Sequence, residues 1–246
     1  MSDSSVAADW IASRIDHLAA EAFAGMYSNP FWDARFGDRG RRHALEDQRH
    51  HLDHLVLALN VEHPEMLAEY AKWLQVVLTS RGMCTRHLAE NFMLLGDLLD
   101  LPGGSGVNPA RHYLEMAVDA LVYREGPAGA VHRAAETLVE DAIPIMFEVE
   151  TAEPTIKGDD LDLYRDDVSY LLSYLADALA LERPELFTEH VRWTEGFFIT
   201  LGRPRDVLRR ELVALDRVVA AQPVDQFGAA RTVLRNGIDA LAGIQA

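Results

Sequence analysis

Shifted by 120 positions, the chain lies on itself without a gap. Pro64-Glu65 meets Pro184-Glu185, Trp73 meets Trp193, Gly82 meets Gly202, and Ala110-Arg111 meets Ala230-Arg231. Asp47, Leu52, Leu55, Leu59, Glu69, Leu88, Leu95 and Leu114 find identical partners in the same register. Matches spread so widely along one offset mark a tandem repeat, with boundaries at residues 1–125 and 126–246. Whatever folds one half must therefore serve the other. Residues that both halves keep are assigned to the fold, and residues that only one half carries are where function is sought.

Apolar residues recur at helical spacing almost throughout, and strict alternation of β-branched residues is missing, so the fold class is all-α. Five helical segments are expected in each half: 6–27, 40–60, 64–81, 85–100 and 109–124, then 129–149, 160–181, 184–201, 204–221 and 226–243. Pro64 and Pro184 suit a first helical turn, Gly82 and Gly202 suit left-handed caps, and Asn108-Pro109 is a cap followed by a first-turn proline. Residues 101–109, LPGGSGVNP, read as a flexible connection. Two helical bundles related by a pseudo-twofold axis are the expected architecture. In the third segment Met66, Leu67, Tyr70, Trp73, Leu74, Val77 and Leu78, matched by Leu186, Phe187, Trp193, Phe197 and Phe198, form a stripe assigned to packing.

The net charge of −16 and pI near 4.9 oppose nucleic acid and anionic membrane surfaces as partners, since both require a positive footprint. No stretch approaches the ~20 apolar residues of a membrane span, and MSDSSVAADW lacks the basic and apolar regions of a secretion signal. A soluble cytoplasmic protein is expected. Cys84, the single cysteine, excludes an internal disulfide and a cysteine-rich zinc site. It lies beside Arg86 and His87 near a helix start, where a thiolate is favoured, but Pro204 takes its place in the second half.

The second segment is where the halves diverge. RRHALEDQRHHLDHLVLAL, Arg41 to Leu59, is matched by LDLYRDDVSYLLSYLADAL, Leu161 to Leu179. At about 100° per residue His43, Asp47, His50 and His54 fall within roughly 60° of one another, with His51 just beyond. Leu45, Leu52, Leu55, Val56 and Leu59 lie opposite, so one reading is a solvated polar face. The second half, however, places Leu163, Tyr170, Leu171 and Tyr174 where the first has His43, His50, His51 and His54. A shared fold would then cover that face at least in part. Covered imidazoles need hydrogen-bond partners, a metal or a ligand. His50 with His54, His43 with Asp47, and Asp47 with His51 all have the i, i+4 relation that presents two ligands to one ion. Further metal ligands would come from His87 and Glu90 or from His17 and Glu21; His87 is replaced by Val207 in the second half.

Immediately upstream, NPFWDARFGDRGRR concentrates Arg35, Arg39, Arg41 and Arg42 among Phe31, Trp32 and Phe36. Its counterpart, Val149 to Asp162, has the opposite charge. These arginines can hold a carboxylate or phosphate, or pair with Asp33, Asp38 or acidic residues of the second half. Arginines for acid groups, aromatic rings for a plane and imidazole for a metal together describe a haem-like or tetrapyrrole pocket, with a transition metal alone as the simpler cofactor.

The His-Glu-x-x-His, glycine-loop and Gly-x-Ser-x-Gly motifs are absent from the sequence. Three functions are consistent with it: a sensor or carrier of a small anionic or metal-containing ligand in the first half, a histidine and aspartate metalloenzyme, and a protein interaction module. Ligation through these histidines is expected to fail below about pH 6. The sequence does not fix an oligomeric state.

Overall fold

The computed structural model describes residues 2–99, 108–147, 158–204 and 206–242. These form eleven helices: α1 (Asp3–Ala12), α2 (Ile15–Met26), α3 (Pro30–Asn60), α4 (Pro64–Thr79), α5 (Thr85–Leu98), α6 (Pro109–Ala120), α7 (Gly126–Phe147), α8 (Gly158–Ala180), α9 (Pro184–Thr200), α10 (Val207–Ala220) and α11 (Val224–Ala242). Among the described residues there is no strand, so the protein is all-α. None of the described helices is long and apolar enough to cross a membrane. Residues 101–107 of the expected connection, and 149–157 of the acidic counterpart segment, lie outside the described residues.

Helix ends follow their local chemistry. The Asn108 side chain accepts from the backbone N–H of Ala110 and Arg111, and Pro109 opens α6 where an N–H would be unpaired. At the end of α3, Glu62 turns left-handed (φ 53°) while His63 N–H closes on Ala58 C=O at 3.0 Å. At the end of α8, Glu182 has the same φ of 53° and Arg183 N–H closes on Ala178 C=O at 2.8 Å. Both are Schellman closures built on glutamate rather than glycine, at positions 120 apart.

Two helices differ from expectation. The 6–27 helix breaks at Ser13-Arg14, because the Ser13 hydroxyl and the Arg14 guanidinium both bond to Trp10 C=O and divert it from the helix ladder. The 40–60 helix begins ten residues earlier, at Pro30: Asn29 Oδ1 caps Phe31 N–H at 2.9 Å and Pro30 supplies the first helical φ. This early helix and the expected one meet at a kink at Gly37.

The chain divides into two compact units, residues 1–78 with 86–121, and residues 79–85 with 122–246. In unit 1, α1, α2 and α6 pack on α3 around Ile11, Leu52, Leu55, Leu59, Leu67, Phe92 and Leu95. In unit 2, α7 packs on α8 and α10, and α11 on α9 and α10, around Leu138, Leu172, Phe187, Leu212 and Leu234. The α4 stripe is narrower than expected. Leu67, Ala71 and Leu74 are buried, but Trp73 is 60% exposed. Trp73 is six positions from Leu67, about 240° around the helix, and so misses the face that packs.

Candidate functional site

Gly37 organises the start of α3. Its φ of 56° and ψ of −157° suit glycine alone and separate a short aromatic arm, residues 30–36, from the long body of the helix. Across the break Arg41 grips Asp33 with both Nε and Nη2, and its guanidinium lies 4.8 Å from the Tyr27 ring centre. Gly40 faces the arm closely: a Cβ there would sit 2.3 Å from Phe36 Cβ. The arm delivers its rings to α5. Phe31 stacks on His87 at 4.5 Å with 20° between planes, and Trp32 meets the same imidazole edge-on at 5.1 Å. Phe36 stacks on Trp32 at 5.9 Å.

His87 is 4% exposed. Burial lowers its pKa to about 3, and the positive charges of Arg86 and Arg35 push in the same direction. Trp32, Phe36, Arg35 and His87 are thus brought together. Arg41 is committed to Asp33, whereas Arg39 and Arg42 are exposed.

The histidine row on α3 divides in two. His43, Asp47 and His50 are exposed, and His43 meets only Glu46, 3.5 Å away, among the described ion pairs. Leu163, 120 positions after His43, is itself 48% exposed, so the partner that suggested cover has none. Further along, His51 is 4% exposed and His54 half-buried, on either side of Tyr70 from α4. His51 Nδ1 lies 2.9 Å from the Tyr70 hydroxyl, and the His54 ring stacks on Tyr70 at 3.8 Å and 9°. His54 Nδ1 donates to His50 C=O at 2.8 Å, which fixes its tautomer when neutral. Burial lowers the His51 pKa to about 3, with His54 and His50 adding to the effect. Burial raises the Tyr70 pKa, helped by Asp47 and Asp53.

Beneath that stack runs a layer of polar side chains. Gln48 is 1% exposed and Asn91 8%, and Gln48 Nε2 donates to Asn91 Oδ1 at 2.8 Å, tying α3 to α5. Gln48 Oε1 is buried and has no hydrogen-bond partner among the described residues. With His51 and His87 these make four buried polar groups in one unit. The residues 120 positions later are Val168, Leu171, Val207 and Glu211, of which the first three are buried aliphatics. Gln48, Asn91 and Tyr70 were missed from the sequence. The signal was there for the amides: Gln48 shares the i, i+4, i+7 face of Leu52 and Leu55, and Asn91 sits between Leu88 and Leu95 on an otherwise apolar stripe.

Unit 2 has its own stack. Tyr174 lies on His190 at 3.4 Å and 12°, and these two residues are the 120-position partners of His54 and Tyr70. The same ring pair recurs with its members exchanged. Unit 2 also buries charge: Glu211 (0% exposed) lies 3.5 Å from Arg203, whose other nitrogen donates to Asp167. Burial beside Asp167 raises the Glu211 pKa well above its ordinary value. Asp177 accepts from Thr85 N–H at 2.8 Å, Thr85 Oγ1–H at 2.5 Å and Tyr123 O–H at 2.7 Å, and burial pushes its pKa up to about 6. Cys84 is 1% exposed in the same core, and a thiol so enclosed packs as a small apolar group rather than acting as a nucleophile.

No family model and no curated protein matches this sequence. Among the described residues no group of three or more His, Cys, Asp or Glu is arranged to hold a metal ion. What unit 1 assembles is a pair of buried neutral imidazoles, His51 and His87, a hydrogen-bonding amide pair, Gln48 and Asn91, that flanks them in sequence, and an aromatic arm against His87.

Proposed function

We propose that the protein is a sensor or carrier whose first unit binds a small, flat, anionic ligand at the α3–α5 layer, the second unit being a duplicated structural partner. The observation that carries this reading is the buried polar quartet Gln48, His51, His87 and Asn91, where three of the four equivalent positions of the second half hold the aliphatics Val168, Leu171 and Val207 and the fourth holds Glu211. Of this set Gln48 Oε1 is buried without a hydrogen-bond partner among the described residues, and such an atom weakens a core unless something uses it. The recurring Schellman closures at Glu62 and Glu182 and the exchanged ring pairs support duplication of the fold. On this reading His54 belongs to the stack that both units keep, and His51 and His87 are the imidazoles proposed to meet the ligand.

The reading takes flatness from the rings of Phe31 and Trp32 beside His87 and negative charge from the arginines of this stretch, although Arg86 already donates to Glu90 at 2.6 Å. The arm on Gly37 provides the way in, since it covers His87 and hinges where the helix is already broken. If the ligand were a metallated tetrapyrrole, the neutral imidazole of His51 or His87 would be the residue to hold its metal.

The test is native mass spectrometry of the purified protein with its absorption spectrum and metal content. A retained small molecule is expected, lost in His87→Leu or His51→Leu with helical content intact. A mass equal to the bare polypeptide, with no absorption beyond the protein's own, would remove the reading. That result favours a protein interaction module, for which Trp73 and Val76, 60% and 55% exposed on neighbouring turns of α4, are the specific support.

A further inference from the structure

Residues 79–85 follow α4 in sequence but pack in unit 2. There they lie along one stripe of α8: the Tyr174 hydroxyl donates to Gly82 C=O at 3.0 Å, and Asp177 accepts from the N–H and the hydroxyl of Thr85. Under that cover Tyr174 is 4% exposed and Asp177 2%, and Thr79 and Cys84 of the segment are buried as well. The positions 120 earlier on α3 are His54 and Leu57. Leu57 is 49% exposed, and Val61, one turn on, is 52%. The face continues onto α4, because His54 stacks on Tyr70, whose ring lies 6.1 Å from that of the exposed Trp73. Unit 1 leaves exposed the stripe that unit 2 covers.

The covering segment has a counterpart too. Residues 199–204 stand 120 positions after 79–84 and turn in the same way: Gly82 N–H closes on Thr79 C=O with a glycine φ of 89°, and Gly202 N–H on Ile199 C=O with a φ of 71°. Their packing is opposite. Ile199 is 42% exposed and Leu201 47%, and Pro204 is exposed where Cys84 is buried. Composition changes in step on both sides of the contact. Leu57 replaces Asp177 on the stripe, and Ile199, Leu201 and Pro204 replace Thr79, Arg81 and Cys84 in the segment. A largely polar contact is thus rewritten as an apolar one, and both of its surfaces are exposed in a single chain.

We infer that residues 199–204 of a second copy of this chain lie along the His54, Leu57 and Val61 stripe beside Trp73, as residues 79–85 lie along α8. Exchanged reciprocally, the contact closes a pair. The occupant is a second copy because the repeat itself supplies the matching segment, with its turn already formed and its apolar residues outward. The inference rests on the duplication of the chain and not on ligand binding. A net charge of −16 repels like chains, so an apolar contact between them tightens as salt screens the repulsion.

The experiment is sedimentation velocity of the full-length protein from low to high micromolar concentration. Wild type is expected to form dimers, and more of them when salt is raised. Leu57→Asp/Trp73→Glu damages only the stripe and Ile199→Asp/Leu201→Asp only the segment. Each should weaken association at least tenfold and keep the helical content and melting temperature of the monomer, because all four positions are exposed. Should an acid side chain lower the melting temperature, Leu57→Ser and Leu201→Ser make the same comparison. An equimolar mixture of the two variants should associate more tightly than either alone, since one brings an intact segment and the other an intact stripe. Wild type that stays monomeric throughout overturns the inference, as does a dimer that either variant leaves intact. A mixture no better than its components also overturns it, because stripe and segment would then not be each other's partners.

Discussion

Two layers of the same helices behave in opposite ways. The ring pair between α3 and α4 in unit 1, His54 on Tyr70, returns in unit 2 between α8 and α9 as Tyr174 on His190, with the stacking distance changed only from 3.8 to 3.4 Å. One layer deeper nothing is kept: Gln48, His51 and His87 give way to Val168, Leu171 and Val207. A stack that survives the exchange of its members is held by shape and ring contact, which imidazole and phenol both supply. A layer that trades three of its four polar groups for aliphatics, and the fourth for Glu211 facing Arg203, is held largely by apolar packing in one unit and by hydrogen bonds in the other. Imidazole as such is thus no sign of function here, and neither is burial alone, since His190 of the kept stack is as enclosed as His51 and His87.

The sharpest way to break this comparison is to write the three aliphatic positions of unit 2's deeper layer into unit 1, with leucine replacing Asn91 in place of the charged Glu211. Gln48→Val, His51→Leu, His87→Val and Asn91→Leu together should leave helical content unchanged by circular dichroism and hold or raise the melting temperature. Ligand retention should fall at least a hundredfold, about 3 kcal/mol. Binding that survives the graft would show that the deeper layer does not carry function.

The layers should also answer acid with opposite sign. His51 and His87 have folded pKa values near 3, below the ordinary 6.5, so the stability of the neutral forms is complete above pH 6.5 and lost as pH falls toward 3. Asp177 is the reverse. Its folded pKa near 6 lies above the ordinary 3.8, so its stability is present below 3.8 and lost as pH rises through 6. From pH 7 to pH 5 each unit 1 histidine costs roughly 2 kcal/mol while Asp177 returns about 1 kcal/mol. His132, half-exposed in α7 with a lowered pKa, opposes the gain in unit 2. Hydrogen exchange corrected for intrinsic rate should therefore lose protection around 48–51 and 87–91 on acidification and gain it around 82–85 and 175–179. Asp177→Asn should flatten the second response. Parallel loss in both places would undo the contrast. Ligand binding should persist well below pH 6, because burial and not solution chemistry sets these imidazoles.

The all-α class was legible because periodicity, prolines and glycine caps speak locally. The Asn108-Pro109 cap and the left-handed Gly82 and Gly202 stand as their residues require. The early start of α3 was less visible, since a glycine-broken arm has the composition of a loop although Asn29-Pro30 is a cap signal. Counting angles around a single helix gathered His43, Asp47, His50 and His54. It left His51 outside, because the arc says which residues share a face but not which part of that face a neighbour covers. Tyr70 covers only the C-terminal end. Gln48 and Asn91 escaped because the eye follows imidazoles, whereas a polar residue on a leucine stripe carries more information.

A smaller effect tests the aromatic arm that unit 1 places against His87. Gly37→Ala forces a side chain into φ 56° and ψ −157°, where nothing crowds it but the backbone itself resists. A loss of about 1–3 kcal/mol in denaturant unfolding is expected, with weaker binding because Phe31 and Trp32 no longer register on His87. Asp33→Asn, which weakens the grip of Arg41 on the far side of the break, should cost under about 1 kcal/mol because the pair is exposed. Unchanged stability in Gly37→Ala would mean that the arm is set by its packing and not by its hinge.

The least effect is expected where the sequence pointed most loudly. His43 and His50 are exposed, with no cover over their part of α3, so His43→Ala/His50→Ala should change stability by less than about 0.5 kcal/mol and leave ligand retention within twofold. The variant is a fair control because alanine is a better helix former than histidine, which biases the outcome toward a slight gain in stability and not toward a loss that might be mistaken for function. If binding nevertheless falls tenfold, the ligand must reach the outer half of α3, and the division between a structural outer row and a functional inner layer would have to be drawn elsewhere.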